Sequence, residues 1–317
     1  MMKKLHIATS PHVRDSISTQ KVMLLVIAAL LPSAVAAVVH FGWRALLLMV
    51  FCVVVSVACE GVCRQIMKRE QTIKDGSAAL TGLLLAMNLP VTLPLWEAAL
   101  GCFIAIVIVK QLFGGLGQNF ANPAITARVV LMVSLAPDMT NWILPKTAAG
   151  NAFSYDAVSS ATPLVSGNAS IQDLFWGSTG GCLGETCAAA ILFGGLFLIF
   201  MGIISPVTPL AYLGTVAAAT FIATGSVNEM FYQLMAGGLL LGAFFMATDY
   251  VTTPITAKGK LIFGIGCGLL TFLIRFYGSF PEGVSLAILL MNILTPYIDK
   301  FTMTHPFGAV SQKKEAK

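Results

Sequence analysis

Charge is what this chain has least of. Only 10% of its 317 residues are Asp, Glu, Lys or Arg, and 57% are hydrophobic. A soluble domain carries about 25% charged residues, so there is not enough polar material here for a water-facing surface or a separate soluble domain. Histidine is scarce too: the four copies, His6, His12, His40 and His305, are scattered. Cys59 and Cys63 have helical spacing, but no second pair or His cluster completes a zinc set. No Walker loop or Ser-His-Asp arrangement is present, and the G-x-G-x-x-G-like spacings lack a βαβ context. The basic residues are dispersed rather than clustered, which excludes nucleic acid as a partner.

What the chain has in abundance is apolar runs near the length of a bilayer helix. Candidate spans fall at 22–39, 45–59, 77–89, 95–111, 124–136, 187–204, 208–224, 231–248, 261–277 and 283–298, several of them shorter than a full crossing. The stretch "LLPSAVAAVV" in the first resembles a signal-peptide cleavage site, but the polar residues before it and the nine spans after it argue for a retained helix. The 29 glycines suit close helix contact in lipid. The expected class is an all-α integral membrane protein.

Lys and Arg set the orientation. With ten alternating spans, one side collects Lys3, Lys4, Arg14, Lys21, Arg64, Lys68, Arg69, Lys74, Lys110, Lys258, Lys260, Lys300, Lys313, Lys314 and Lys317. The other side holds Arg44, Lys146 and Arg275, and Arg128 lies inside a span. Both termini are therefore expected in the cytoplasm, with the polar loop 137–186 outside. The organisation read this way is a cytoplasmic segment 1–21, a first membrane repeat 22–136, the outer loop, a second membrane repeat 187–298 and a cytoplasmic tail 299–317.

The two halves look related. "KQLFGG" at 110–115 and "KLIFGI" at 260–265 share Lys, a branched aliphatic, Phe and Gly, and "NP" at 122–123 has a partner in "NILTP" at 292–296, which should interrupt the tenth span. Five spans per half would invert the second copy, a plan that places broken helices and their freed backbone around a midplane cavity. The fifth span fits such a half-helix. Asn122 is placed to cap it and Pro123 to open it, and its apolar part would cover only ~20 Å. A tilted short helix with a tight cytoplasmic entry is the competing reading.

Few charges sit at membrane depth. Asp249, in "FFMATDYVTTPIT" at 244–256, closes the eighth span. It is a functional candidate by default, against the alternative of a solvated helix end, and with Asn122 it marks a candidate ion path. Arg128 needs a partner. Glu97 and Glu282 are expected to be solvated at outer helix ends. Cys182 and Cys187 lie on the outward side, where a disulfide is permitted but not determined.

In the outer loop, "DAVSSATPL" at 156–164 gathers Asp156, Ser159, Ser160 and Thr162. Thr162 precedes Pro163, which favours extended backbone and an outward hydroxyl. Asp156 can support a turn, and a hydroxyl in such a loop can carry a modification. Nothing in the spacing specifies which.

The stretch resembles the flavinylation motif Asp-x-x-Ser-(Gly/Ser)-Ala-Thr of the RnfD/NqrB membrane flavoproteins. Further blocks of similar kind run in order along nearly the whole chain: "TSPHVRDSIST" at 9–19, "KDGSAALTGLLLAMNLP" at 74–90, "GGLGQNFANPA" at 114–124, "MATDYVTTP" at 246–254 and "PEGVSLAILLMNILTPYID" at 281–299. The short segment before the first helix resembles the RnfD branch rather than the longer NqrB type. The resemblance implies a urea-transporter-like fold of two inverted five-helix repeats. It also implies FMN joined through a phosphoester to Thr162, donated from FAD by a Mg-dependent flavin transferase outside the cytoplasm. Asp156, Ser159, Ser160 and Ala161 would fill the recognition positions, Ser160 standing where Gly is common.

By the same resemblance the chain is one member of a multi-protein Rnf complex, a ferredoxin:NAD oxidoreductase coupled to Na⁺ or H⁺ movement in a bacterial inner membrane. Its partners would be the A, B, C, E and G subunits, with the covalent flavin of the G subunit nearby. A second, noncovalent flavin such as riboflavin is allowed in the bundle, with no residues assigned. The competing classes are a solute permease or channel on the same fold without a redox cofactor, and a structural membrane scaffold.

Overall fold

Inside lipid the backbone must satisfy its own polar groups, and a continuous helix does so. The computed structural model describes residues 18–145, 162–167, 169–278 and 282–303, and among these every regular element is a helix. Helix α1 (Thr19–Phe41) is capped by the Ser18 side chain, which accepts from the Lys21 N–H, and turns at Gly42 into α2 (Trp43–Ile66). Then come α3 (Ser77–Met87) and α4 (Leu95–Phe103), the latter continued by a π-helical stretch, Ile104–Gln111. Helix α5 (Pro123–Ser134) and the short helices α6 (Ala136–Met139), α7 (Pro163–Ser166) and α8 (Ile171–Trp176) follow.

The second half begins with α9 (Ala188–Phe200) and α10 (Val207–Thr224). Next, α11 (Val227–Met235) breaks at 236–238 and resumes at 67° as α12 (Leu239–Leu241), with a π-helical extension Gly242–Met246. The chain then forms α13 (Ala257–Tyr277) and α14 (Val284–Thr302).

Five of these helices, α1, α2, α10, α13 and α14, are long and apolar enough to cross a membrane, and the bent α11–α12 pair would make a sixth. Helices α3, α5 and α9 are apolar but shorter, at 11, 12 and 13 residues. Between 28% and 39% of each long span is buried within the chain. The remainder presents side chains such as Phe200, Ile222 and Phe301 outward, an apolar surface far larger than a soluble monomer tolerates. This is a multi-pass membrane protein.

Helices α10 and α13 pack closely because Gly264 and Gly268 face the neighbouring backbone. A Cβ on either would lie 2.9 Å from the carbonyl of Thr208 or Tyr212, the small-xxx-small contact of membrane helices. Helix α1 packs on α9, and α5 lies against α14.

Two sequence expectations are corrected here. Pro296 does not interrupt the last span: α14 runs through it without a break. The 110–115 and 260–265 peptides are not equivalent in place either, since Lys110 lies in the last turn of the π-helical stretch whereas Lys260 lies in the first turn of α13. Helix α5, by contrast, is as short as its sequence indicated, its 12 residues giving about 18 Å at ~1.5 Å each.

Candidate functional site

Asp156, Ser159, Ser160 and Ala161 lie outside the described residues, and Thr162 is the first described residue after them. Its backbone is extended, φ −60° and ψ 153°, as a residue before proline requires. The hydroxyl is not presented outward, however. Thr162 is 2% exposed, and among the described residues its Oγ1 has no hydrogen-bond partner. The next residues hold it in: the Tyr232 hydroxyl donates to the Pro163 carbonyl at 2.6 Å, and Leu164 packs on the cluster of Leu174, Tyr232 and Ala236.

Thr162 is thereby brought to the break between α11 and α12. The carbonyls freed at the end of α11 need donors, and Arg275 on α13 supplies them. Its Nη1 donates to the Gln233 carbonyl at 2.6 Å and to Gln233 Oε1 at 3.2 Å, and its Nη2 donates to the Ala236 carbonyl at 2.9 Å. Gly237 then takes φ +68°, in the left-handed region that favours glycine. A Cβ there would meet Leu164 Cδ1 at 2.8 Å and Arg275 Nη2 at 3.2 Å.

On the other side of the break lies a buried charge cluster centred on Arg128. Nη1 donates to Asn88 Oδ1 at 2.7 Å; Nη2 donates to Glu185 Oε1 at 3.1 Å, to Cys182 Sγ at 3.3 Å and to the Glu282 carboxylate. The loop carrying Cys182 and Glu185 is pinned to the end of α3, with the Gly184 N–H donating to the Met87 carbonyl at 2.6 Å and the Leu183 N–H to the Leu89 carbonyl at 3.2 Å. Glu282 and Glu97 are 7% and 1% exposed, so neither is the solvated end group its position suggested. Burial, and then the charge of Glu185, pushes Glu282 up to about 8. Cys182, Glu185 and Glu282 offer metal-type ligand atoms within 4.8 Å of one another, but the Arg128 guanidinium already supplies the cation among them. Cys182 and Cys187 are both free, their thiols directed to the carbonyls of Asn88 and Phe175.

A second polar region joins the first half to the second. Asn122 caps α5, its Oδ1 accepting from the N–H groups of Ala124 at 3.1 Å and Ile125 at 3.3 Å, while Nδ2 donates to the Met246 carbonyl at 3.4 Å. The Asn292 amide satisfies both its ends when its oxygen accepts from the Asn122 N–H at 3.1 Å and its nitrogen donates to the Thr252 carbonyl at 3.2 Å. Thr252 Oγ1 in turn donates to Asp249 Oδ2 at 3.1 Å. Asp249 and Asn122 line the same two small cavities, of about 60 and 70 Å³. Burial raises the Asp249 pKa above the ordinary carboxylate value, against the opposing hydrogen bond from Thr252.

The larger of these two cavities is also lined by Ser77, Asn119 and Lys110. Lys110 Nζ lies 2.6 Å from Ser77 Oγ and 3.1 Å from Glu60 Oε1. Glu60 is fully buried on α2 and also accepts from Gln111 Nε2 at 2.6 Å and Thr72 Oγ1 at 3.3 Å.

With this geometry in place, comparison with known proteins is decisive on kinship. The sequence pattern of the "NQR2, RnfD, RnfE family" matches residues 6–308. The chain belongs to this family. It is 46% identical, over 99% of its own length and 98% of the relative's, to the D subunit of the Na(+)-translocating ferredoxin:NAD(+) oxidoreductase complex of Acetobacterium woodii. It is 43% identical, over 95% and 96%, to the D subunit of the proton-translocating ferredoxin:NAD(+) oxidoreductase complex of Clostridium ljungdahlii. A third relative, the D subunit of the ion-translocating oxidoreductase complex of Stutzerimonas stutzeri, is 40% identical over 94% of each chain.

Within this member of the family, the sequence pointed to Arg128 and to Glu282 but not to their pairing, and it singled out neither Glu185 nor Glu60. The signal for Glu60 was present: it is a carboxylate in the apolar run "VVVSVACEGVC", a placement that in lipid marks a paired group. Lys110 was read as a marker of the cytoplasmic side and as the start of the repeated 110–115 peptide, yet it is 2% exposed.

Proposed function

We propose that the chain is the D subunit of an ion-translocating ferredoxin:NAD oxidoreductase complex in a bacterial cytoplasmic membrane. In this reading it relays electrons through FMN held on Thr162 and contributes part of an ion path. Support for the subunit assignment comes from near-full-length identity to relatives bearing that name. Its partners are then the A, B, C, E and G subunits, together with the flavin transferase that matures it. The Lys and Arg distribution supports cytoplasmic termini and an extracytoplasmic Thr162.

The flavin reading rests on the resemblance of 156–162 to the flavinylation motif and on one observation: the Thr162 hydroxyl is a buried oxygen without a hydrogen-bond partner among the described residues. Such an atom normally costs about 1–3 kcal/mol, and esterification removes the need for a partner. In the attachment the Thr162 oxygen forms the bond to phosphorus, AMP leaves from FAD, and the hydroxyl proton is released. Because Thr162 is buried in the folded chain, the transferase must act on a state that exposes it. Bound FMN would supply one-electron and two-electron redox chemistry. The chain's own residues fix its attachment point at the α11–α12 break, and a covalent link prevents loss to bulk water.

The ion path is the second element. Asp249 and Asn122 share both cavities, which are polar enough at these two residues to admit water or a small cation.

The deciding experiment is peptide mass spectrometry with in-gel flavin fluorescence on the chain purified from its native host. An FMN-sized mass on the Thr162 peptide, absent in Thr162→Val, is expected. An unmodified Thr162 in a host that expresses the transferase overturns the flavin relay.

A further inference from the structure

Among the described residues, two buried polar atoms of this region lack hydrogen-bond partners, Thr162 Oγ1 and Arg275 Nε. Their segments meet at Gly237: Leu164, two residues after Thr162, and Arg275 Nη2 both crowd the position its Cβ would occupy.

The donor inventory of Arg275 is specific. A guanidinium carries five N–H groups. Both hydrogens of Nη1 are used, on the Gln233 carbonyl and side chain, and one of Nη2 is used on Ala236. What remains is Nε–H and one Nη2–H, which share one edge of the planar group. That edge is the bidentate fork that matches two oxygens of a carboxylate or phosphate. A helix C-terminus alone could be satisfied by the Nη atoms, so its needs do not account for a buried Nε without a partner.

The charged groups around the break are Arg275, Arg128, Glu185 and Glu282, with Glu229 accepting from Gln233 Nε2 at 3.1 Å. Burial and the charge of Glu185 push the Glu282 pKa up, which weakens it as a counter-charge to the two guanidiniums and makes a further anion there electrostatically compatible.

We propose that Arg275 is the positioning residue for the phosphodiester carried on Thr162, pairing its free Nε–Nη2 edge with the two non-bridging phosphate oxygens. The proposal rests on the flavin reading of Thr162. It ties the cofactor to the break between α11 and α12: the same guanidinium that caps α11 holds the phosphate, so the attachment point and the helix end move together.

The test is a two-by-two comparison on the purified complex. Wild type and Arg275→Lys are each produced with and without the flavin transferase, and occupancy at Thr162 is read by mass. The Lys variant keeps the charge and a donor for the α11 carbonyls but loses the fork. Flavinylation is expected to raise the unfolding temperature of wild type, and to raise it by clearly less in Arg275→Lys at equal occupancy. In Arg275→Gln the midpoint potential of the Thr162-linked flavin, followed by its semiquinone signal, is expected to shift negative, because a cation that stabilises the reduced anion has gone. An equal rise in unfolding temperature in wild type and Arg275→Lys overturns the proposal, whether or not the Gln variant folds. If wild type carries no flavin on Thr162, the mass data show that the underlying reading has failed, and this one falls with it.

Discussion

Asn292, in the middle of α14, accepts the backbone N–H of Asn122, the residue that caps α5. One side-chain amide therefore joins the fifth helix of the first half to the last helix of the second. Its other end reaches the Thr252 carbonyl and, through the Thr252 hydroxyl, Asp249. A short helix whose N-terminus is buried has N–H groups that water cannot reach. Here the two asparagines satisfy three of them, those of Asn122, Ala124 and Ile125.

Replacing Asn292 by Leu keeps the size but removes the acceptor. The Thr252 carbonyl still accepts from Thr295 Oγ1 at 2.9 Å, so the group left stranded is the Asn122 N–H. The expected loss is about 1–3 kcal/mol, read as a lowered unfolding temperature of the detergent-solubilised complex. Asn292→Asp, which retains an acceptor oxygen, should recover part of it on the acidic side of neutrality. An unchanged unfolding temperature in Asn292→Leu would mean that the amide is not the link between the halves.

The Arg128 cluster gives a pH dependence with a definite sign. Glu282 is raised from 4.5 to about 8 in the folded chain, so between those values the folded state holds a proton that the unfolded state has released. Its contribution to stability is complete below 4.5 and is lost as pH rises through 8. The unfolding temperature of wild type is expected to fall between mildly acidic and mildly alkaline pH. Glu282→Gln, which imitates the protonated acid, should flatten that slope and be tolerated at neutral pH. Glu185→Gln is the contrasting case. It takes from buried Arg128 one of its two carboxylates but also removes a charge that raises Glu282, so Glu282 ionises more readily and offsets part of the ~3–5 kcal/mol cost of an unpaired buried charge. Equal slopes in wild type and Glu282→Gln would remove Glu282 as the titrating group.

How much of this was readable beforehand follows from the range of each interaction. The helix-forming stretches, the Asn122–Pro123 start of α5 and the extended backbone at Thr162 are local and could be read directly. The pairing of "NP" with "NILTP" pointed to two residues that do meet, but through a side chain of an unbroken helix rather than at a break: α14 continues through Pro296, with Thr295 Oγ1 bonding back to Met291. What could not be read were partners distant in the chain. Arg128 meets Glu185 and Glu282, and Glu60 meets Lys110, across 57, 154 and 50 positions, respectively. Thr162 was misjudged as outward for the same reason, because Tyr232 and Ala236, which hold Pro163 and Leu164 in place, lie far along the chain.

The Glu60–Lys110 pair tests whether a buried ion pair here stabilises or only specifies. Lys110→Met leaves Glu60 buried with the neutral donors Gln111 and Thr72 and, farther off, the Arg64 guanidinium at 3.9 Å, so the expected cost is below the ~3–5 kcal/mol of a buried charge left wholly unpaired. Adding Glu60→Gln to it should restore part of the loss, since a neutral amide keeps hydrogen bonds to Gln111 and Thr72 while Arg64 keeps only the Glu70 carbonyl. Thermal unfolding of the two single variants and the double variant forms a closed cycle. If the double variant is as unstable as the sum of the singles, the two residues act separately.

On the proposed ion path, Asp249 is the residue on which ion coupling can be separated from electron flow. It is far from Thr162 in chemistry as well as sequence: it lines the cavities shared with Asn122 and is bonded to Thr252. Its raised pKa lets it hold a proton or, when ionised, attract a cation into a space of about 60–70 Å³. Asp249→Asn removes both capacities and keeps the Thr252 hydrogen bond. In inverted vesicles carrying the complex, the variant is expected to retain ferredoxin- or NADH-linked electron transfer and to lose most of the coupled uptake. Relatives named for Na⁺ and for protons are 46% and 43% identical to this chain, so overall similarity does not choose the ion. Running the assay with and without Na⁺, and with a protonophore, does. Coupled uptake that survives Asp249→Asn at the wild-type rate takes Asp249 out of the path and leaves Lys110 and Ser77, which line the larger of the two cavities with it, as the groups to test next.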